Sequence, residues 1–326
     1  MKARLLKFFK DWMLVIGMFI GAGAYLVYMQ IPAIHTAGPT LELICRKTQP
    51  TLLFLMLFIS FSRIEPRQLR LQRWHSWDLL VQLLSYLILS GTVIWAIHST
   101  CPAALWVLRH RILFESAMLC MICPTATACA VVTGRLGGDM AQVVMYTIII
   151  NLAVSVVVPL TVPLLYPQTD ITFIAAFSRI LGKVFPLLIM PCLSAWAVRY
   201  LMPRFHSWIA QKINLSFYLW SVALTLAILM STRAIIHSGC SIWTLLGVAV
   251  TSLLCCAFQF MIGRKIGALT GGNRIEASQA CGQKNTVFGI WMGYTFWNPL
   301  VSVAGGFYTI WHNIHNTRQL YKAKNN

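Results

Sequence analysis

Apolar runs long enough to cross a lipid bilayer recur from one end of this chain to the other. A helix needs about 20 apolar residues to cross a hydrocarbon core of about 30 Å. The chain is 58% hydrophobic and only 10% charged, whereas a soluble domain carries about 25% charged residues. We therefore predict an all-α polytopic membrane protein. The ten runs lie near residues 12–34, 48–63, 77–98, 112–133, 140–165, 174–200, 207–232, 241–266, 275–296 and 298–315.

The basic residues indicate how these runs are oriented. If the N-terminus lies in the cytoplasm, most loop lysines and arginines fall on the cytoplasmic side, including those of the loop between Arg63 and Arg73. Cytoplasmic loops of membrane proteins are enriched in Lys and Arg. We therefore expect an integral plasma (inner) membrane protein with both termini cytoplasmic. The net charge of +18 then reflects topology, and we expect a lipid bilayer rather than nucleic acid as the partner.

The two ends of the chain are predicted to lie outside the bilayer. Residues 1–11 alternate basic and apolar side chains, a pattern typical of an amphipathic segment on the cytoplasmic leaflet. The run 12–34 follows without a cleavage pattern, so we interpret it as a retained first helix. Residues 317–326 are expected to form a disordered cytoplasmic tail. The second run is expected to be short, with Arg46 and Lys47 flanking it.

Ten runs with both termini on one side divide into two sets of five. Because five is odd, the second set begins on the opposite side of the membrane from the first. This is the arithmetic of an inverted repeat, which is common in secondary transporters. We predict a first repeat at residues 12–166 and a second, inverted repeat at residues 167–316.

The fourth and ninth runs, which correspond in the two repeats, are both interrupted near their middle. The fourth contains Pro124 between Cys123 and Cys129, and the ninth contains the polar stretch from Cys281 to Thr286. Proline removes a backbone donor and breaks a helix. An isolated break would be an ordinary proline kink, but two corresponding breaks indicate a transport site at the midplane.

Lys284 lies within the second of these interruptions, about ten residues or 15 Å from either end of its run. A lysine at that depth costs roughly 2.5–3.5 kcal/mol on insertion scales. An ionisable residue within a membrane span is by default a functional charge that lines a cavity. The alternative is pairing with a carboxylate, since the ends of the run are too distant for the ammonium to reach.

The candidate residues at the two interruptions share small, polar or helix-breaking side chains. For the amides and for Asn151, interhelical hydrogen bonding is the alternative to ligand contact. The residues assigned to the substrate and ion site are Pro124, Thr125, Thr127, Cys129, Asn151, Gln279, Gln283, Lys284, Asn285 and Thr286.

Two carboxylates, Glu115 and Glu276, lie near opposite ends of their runs. Each is interpreted either as solvated at the membrane interface or as a gating or proton-carrying group. For Glu276 we expect Arg274 or another interfacial cation as the partner.

Several motifs resemble those of the bile acid:sodium symporter family. They are Cys123-Pro124-Thr125-Ala126-Thr127-Ala128, Gly137-Gly138-Asp139-Met140-Ala141, Val158-Pro159-Leu160-Thr161-Val162-Pro163-Leu164-Leu165 and Tyr308-Thr309-Ile310-Trp311-His312-Asn313. The resemblance implies ten helices in two inverted repeats, with a panel domain, a core domain and broken helices 4 and 9 crossing in the core. It also implies import of an organic anion, usually coupled to sodium.

The chain departs from this pattern at the crossing. Sodium-coupled members are expected to have Ser-Asn where this chain has Cys129-Ala130, Glu at Gln279, and Gln-Asn at Gln283-Lys284. A one-residue shift would instead pair Asn285 with that Asn. Sodium prefers hard oxygen ligands, which a thiol, a methyl group and an ammonium do not supply. The resemblance therefore indicates a divergent member in which Na+ is disfavoured, with no other cofactor or metal expected.

The favoured hypothesis is a sodium-independent secondary transporter of an organic anion, bile-acid-like or another carboxylate, in which Lys284 replaces the bound cation or carries a proton. A sodium-coupled symporter and a non-transporting membrane regulator remain alternatives. An arsenite permease using Cys123 or Cys129 is a further alternative. A membrane enzyme is disfavoured because no nucleophile and base, and no metal-ligand cluster, share one depth.

Overall fold

A computed structural model describes residues 2–126, 128–167, 172–212, 215–237 and 239–325. Those residues form helices and contain no β-strand. The helices are α1 (Lys2–Gln30), α2 (Gly38–Ser62), α3 (Arg73–Ile97), α4 (Pro102–Arg109), α5 (Arg111–Ile122), α6 (Cys129–Arg135), α7 (Met140–Leu165), α8 (Phe173–Leu188), α9 (Met190–Leu201), α10 (Pro203–Ala210), α11 (Leu215–His237), α12 (Ile242–Leu269), α13 (Arg274–Gly282), α14 (Thr286–Phe296) and α15 (Ser302–Asn325).

Several of these helices can cross a membrane without interruption. Five described segments are long and apolar enough by themselves, and α8 with α9 forms a sixth if their 42° bend lies within one span. A helix suits the bilayer because all its interior backbone groups are hydrogen-bonded within the segment. The five segments are His35–Ser62, Arg73–Ile97, Met140–Leu165, Tyr218–His237 and Ile242–Leu269.

Large apolar side chains on the outside of these helices fit a lipid environment. On α3, Leu80, Leu84 and Ile88 are 44%, 47% and 66% exposed, and they lie at helical spacing along one face. The opposite face of α3 is buried. The chain is therefore an all-α integral membrane protein.

Each predicted run overlaps a helix or a broken helix pair, although several boundaries are wrong. The second helix is not short, because α2 begins at Gly38 and includes Arg46 and Lys47. The tail at 317–326 is not disordered as predicted, because α15 continues as one helix to Asn325. The backbone hydrogen bonds between successive turns continue past the apolar residues, so these helices are longer than the apolar stretches in the sequence.

At the N-terminus, α1 is continuous from Lys2, so the predicted change at residues 11 and 12 is not a break in the helix. The side chains of residues 2–15 lie outside the described part of the chain. The division into repeats at 12–166 and 167–316 stays a prediction.

Two packed groups of helices surround the interior. One consists of α1, α2, α9 and α11, and the other consists of α3, α5, α7 and α12 to α15. Within the second group, α12 packs closely along α13 because glycines remove the side chains between them. A Cβ atom at Gly263 would lie 2.6 Å from the carbonyl oxygen of Ala277.

We expect Gly263→Ala to lower the free energy of unfolding by about 1–3 kcal/mol, because a methyl group would overpack the contact between α12 and α13. Thermal unfolding of the purified protein in detergent measures this change. Gly91→Ala is the matched control, since nothing lies within 4 Å of a Cβ atom there. Equal destabilisation by the two substitutions would contradict the close approach.

Candidate functional site

The first helix break separates α5 from α6. Helix α5 ends at Ile122, and α6 begins at Cys129. Pro124 has no backbone N–H, and it biases the residue before it towards extended backbone. Cys123 accordingly adopts ψ 126°, so the break falls where the sequence predicts it. Thr127 lies outside the described residues.

The second break separates α13 from α14 without a proline. Helix α13 ends at Gly282, Gln283 is extended, and α14 begins at Thr286. The Asn285 side chain caps α14 by accepting a hydrogen bond from the Phe288 backbone N–H at 3.2 Å. A Cβ atom at residue 282 would lie 2.4 Å from the Phe260 ring. Glycine is therefore required for α13 to end against α12.

The two breaks meet and pair as a short antiparallel bridge between Thr125 and Lys284. The Ala126 N–H donates to the Gln283 carbonyl at 2.8 Å, and the Asn285 N–H donates to the Pro124 carbonyl at 2.7 Å. Backbone groups freed at membrane depth need such partners because no solvent is available there. We call residues 123–126 and 283–285 the crossing.

Side chains reinforce this pairing. The Thr125 hydroxyl donates to the Ala280 carbonyl at 2.7 Å. The Cys123 thiol donates to the Asn285 carbonyl at 2.9 Å. The first bond joins the first break to α13, and the second joins the two breaks, so the crossing and the end of α13 form a single hydrogen-bonded unit.

Lys284 is buried at the centre of the crossing and is only 1% exposed. Its ammonium lies within direct electrostatic range of the thiols of Cys281, Cys123 and Cys120 and of the Asp78 carboxyl group. Its Nζ atom has no hydrogen-bond partner among the described residues. The expectation that this charge lines a cavity is not met in this conformation, because the crossing closes around the side chain.

Asp78 is a site residue that our sequence analysis missed. It lies on α3, is 0% exposed, and interacts electrostatically with Lys284. Neither carboxylate oxygen has a hydrogen-bond partner among the described residues. The sequence feature that could have identified Asp78 is an acidic residue within the predicted run 77–98, since an intramembrane carboxylate is by default functional.

The face of α3 that carries Asp78 is turned towards the crossing. One turn further along, Gln82 donates to the Cys123 carbonyl at 3.2 Å and accepts from the Tyr146 hydroxyl at 2.9 Å. One turn earlier, the His75 Nε2 atom is hydrogen-bonded to the Gln142 carbonyl at 3.0 Å. Buried hydrogen bonds therefore hold Asp78 between two anchored neighbours.

The structure gathers part of the predicted site at the crossing. Pro124, Thr125, Gln283, Lys284 and Asn285 form its backbone pairing. Cys129, the first residue of α6, is buried within electrostatic range of Lys284.

Three other predicted residues lie outside the crossing. The Gln279 side-chain nitrogen donates to Asn316 at 3.1 Å and to Gln319 at 2.6 Å, both on α15. The Thr286 hydroxyl accepts a hydrogen bond from the Thr309 hydroxyl, also on α15, at 2.7 Å. Asn151 is buried on α7, and no hydrogen bond of the described residues connects it with the crossing. For Gln279 and Thr286 the contacts are those of helix packing.

Neither predicted glutamate is solvated. Glu115 is 1% exposed, with Arg111 Nε at 2.6 Å and the Tyr166 hydroxyl at 2.7 Å. The interfacial interpretation is wrong there because one protein donor to each carboxylate oxygen replaces water.

Glu276 is 5% exposed and accepts from the Asp139 backbone N–H at 2.8 Å. The expected partner, Arg274, is wrong because the turn before α7 presents a backbone donor at that place. Glu276 therefore ties α13 to the beginning of α7.

A small cleft lies between α2 and the first break. Its lining is largely apolar, and it includes Ala126, which lies next to the Thr125 bridge. The lining residues are Leu57, Ser60, Phe61, Ile64, Ala126, Ala130, Val144 and Thr147.

At the other end of α2, Glu42 is the centre of a charged network that joins three helices. Arg46 on α2 and Arg233 on α11 lie 2.7 and 2.9 Å from its carboxylate oxygens. The Tyr294 hydroxyl on α14 donates to Glu42 at 3.1 Å and also accepts from Arg233. We call these four residues the Glu42 network. It connects the two packed groups of helices.

Two broken helices that cross through their own backbone define the architecture of a membrane transporter. The family model of the sodium bile acid symporter family matches residues 50–238, more than half of the chain. The chain therefore belongs to the sodium bile acid symporter family. No curated protein matches the chain.

Family membership points to a transporter of bile acids or other organic anions, and not to an enzyme. The matched part extends from α2 to the end of α11 and includes the first break. The second break, with Lys284, lies beyond it. Among the described residues, no cluster of His, Cys, Asp or Glu could hold a metal ion.

We expect Thr125→Val to lower the free energy of unfolding by about 1–3 kcal/mol, because it leaves the buried Ala280 carbonyl at the end of α13 without a partner. Thermal unfolding in detergent tests this. Thr125→Ser keeps the hydroxyl and is the matched control. A valine variant as stable as the serine variant would contradict a role of this bond in holding the crossing.

Proposed function

We propose that this protein is a secondary active transporter of an organic anion that works by alternating access without sodium. The observation that carries the proposal is the buried Lys284 at the point where the two broken helices pair. Lys284 then takes the place of a bound cation. The proposed substrate is an amphipathic carboxylate, since the cleft beside the crossing is largely apolar.

The surroundings of Lys284 favour a fixed positive charge over a sodium ion. The titratable groups that act on it are mainly thiols, with one carboxyl group. Sodium, a hard cation, requires several oxygen ligands, and thiols are poor substitutes. An ammonium at the same place would also repel a second cation.

The positions of the cleft and the Glu42 network support alternating access. With both termini in the cytoplasm, the network lies at the outer end of α2 and the cleft at its inner end. The network then holds the two helix groups together outside, while the cleft opens between α2 and the crossing inside. Opening the outer side requires the four residues of the network to separate, as in rocking of one helix group against the other.

We expect the unfolding temperature of the purified protein to be independent of sodium. A ligand that binds only the folded state raises stability by RT ln(1 + [L]/Kd), about 2.7 kcal/mol at a hundredfold excess over Kd. The measurement compares sodium with potassium and choline at constant ionic strength. A saturable rise specific to sodium would contradict the replacement of the cation by Lys284 and favour sodium-coupled symport.

Reconstituted protein is expected to take up radiolabelled cholate, with equal sodium on both sides of the vesicle membrane. Lys284→Met should reduce this uptake by at least about tenfold, because it removes the charge that attracts the carboxylate at a site of low dielectric constant. Lys265→Met, at an exposed lysine, is the matched control. Uptake that requires a sodium gradient would contradict the sodium-independent mechanism. Absence of uptake by the unmodified protein would contradict a cholate-like substrate.

A further inference from the structure

Two ionisable side chains of opposite type are buried at the crossing, neither hydrogen-bonded nor in salt-bridge contact with the other. Asp78 on α3 and Lys284 between α13 and α14 are 0% and 1% exposed. Within the described residues, both carboxylate oxygens and the ammonium nitrogen have no hydrogen-bond partner. Buried polar groups in proteins are nearly always hydrogen-bonded, so a pair left in this state calls for an explanation.

When both groups are ionised, each compensates the charge of the other at a distance longer than a salt-bridge contact. A buried ion is strongly unfavourable when it is unpaired, and removal of one member of a buried pair leaves the other uncompensated. The attraction between Asp78 and Lys284 acts through an interior of low dielectric constant, where it is stronger than in water. The pair is electrically neutral as it stands, so an anion that reaches Lys284 brings one negative charge too many.

We propose that Asp78 is the counter-charge that occupies Lys284 in the empty transporter, and that one organic anion and one proton replace it together. The substrate carboxylate becomes the counter-charge of the ammonium, and the Asp78 carboxylate binds a proton that enters from the bulk solution together with the substrate. A hydronium ion of the bulk gives up this proton and becomes water, one O–H bond forms on Asp78, and Lys284 exchanges one counter-charge for another. The site remains neutral throughout.

This inference rests on the proposed function, and it adds the coupling ion. A monovalent carboxylate would cross with one proton and no net charge. Asp78 is a positioning and proton-binding residue in this scheme, and Lys284 remains protonated in every state.

Among the titratable groups around Asp78 and Lys284, Asp78 is the one suited to accept the proton. On the helices packed against α3, they are the Tyr146 phenol and buried thiols, and His75 is the neighbour on α3 itself. A carboxyl group is ordinarily ionised near neutral pH, whereas thiols and phenols are not. His75 is bonded through one ring nitrogen to the Gln142 carbonyl and through the other to the Gln72 N–H. The thiols are those of Cys120, Cys123, Cys129, Cys256 and Cys281.

The first test is a double-mutant cycle that needs no substrate. Asp78→Asn and Lys284→Met each leave one buried charge without its partner, so each should lower the unfolding temperature. The double variant removes both charges and should recover most of the loss, because the two effects are coupled and not additive. Asp139→Asn makes the same chemical change at an exposed helix cap and is the matched control.

If a single variant does not fold, recovery of a monodisperse species on size-exclusion chromatography gives the same comparison. A double variant that is no more stable, or no better recovered, than the worse single variant would overturn the ion pair.

The second test uses acetate as the anion and follows the unfolding temperature at two pH values. For the unmodified protein, the apparent affinity for acetate should rise as pH falls, up to about tenfold per pH unit, because one proton binds with each anion. For Asp78→Asn it should be high and independent of pH between about pH 6 and pH 8, where acetate itself stays ionised. The double variant should not respond.

A pH-independent response of the unmodified protein, or no response of Asp78→Asn, would overturn the exchange of Asp78 for the substrate anion. Neither test measures transport. A protein that passes both tests but moves no cholate would contradict the proposed substrate and leave the Asp78–Lys284 pair standing. If the protein takes up cholate but the effects of Asp78→Asn and Lys284→Met on the unfolding temperature are additive, the interaction between Asp78 and Lys284 is contradicted and the transport function still stands.

Discussion

The unsatisfied backbone of two broken helices is the constraint on which this structure depends. Breaking α5 from α6 and α13 from α14 frees peptide groups at a depth where water cannot serve them. The antiparallel bridge between Thr125 and Lys284 provides hydrogen-bond partners for backbone groups of both breaks, since each break bonds to the other. Helices α3, α12 and α15 then pack around the crossing, and each of them carries buried polar residues.

The same arrangement explains how a lysine can lie in the middle of a membrane protein. Lys284 is held by its backbone in the bridge, and the Asp78 carboxyl group on α3 acts electrostatically on it. Gln82, one turn from Asp78, fixes that helix to the Cys123 carbonyl at the first break. Backbone pairing thus sets the position of one charge, and a side-chain hydrogen bond sets the helix that carries the other.

Local features of the fold could be predicted because their causes are local. Pro124 breaks a helix wherever it lies, and a long apolar run forms a helix in lipid whatever its neighbours are. Partners could not be predicted in the same way. Gln279 is one turn from Gln283 in sequence, yet its side chain is bonded to Asn316 and Gln319 on α15. Glu276 accepts from the Asp139 backbone instead of pairing with Arg274, and a backbone donor leaves no signature in the sequence.

The sequence by itself determined the class of protein and the positions of the two breaks, because hydropathy, proline stereochemistry and residue spacing act along the chain. Only the tertiary structure decided that the breaks pair with each other and that Asp78 is buried at the same place as Lys284. More than 200 residues separate Asp78 from Lys284 in the chain. Contacts between such residues depend on how whole helices pack, and a single sequence carries no local pattern that records which helices become neighbours.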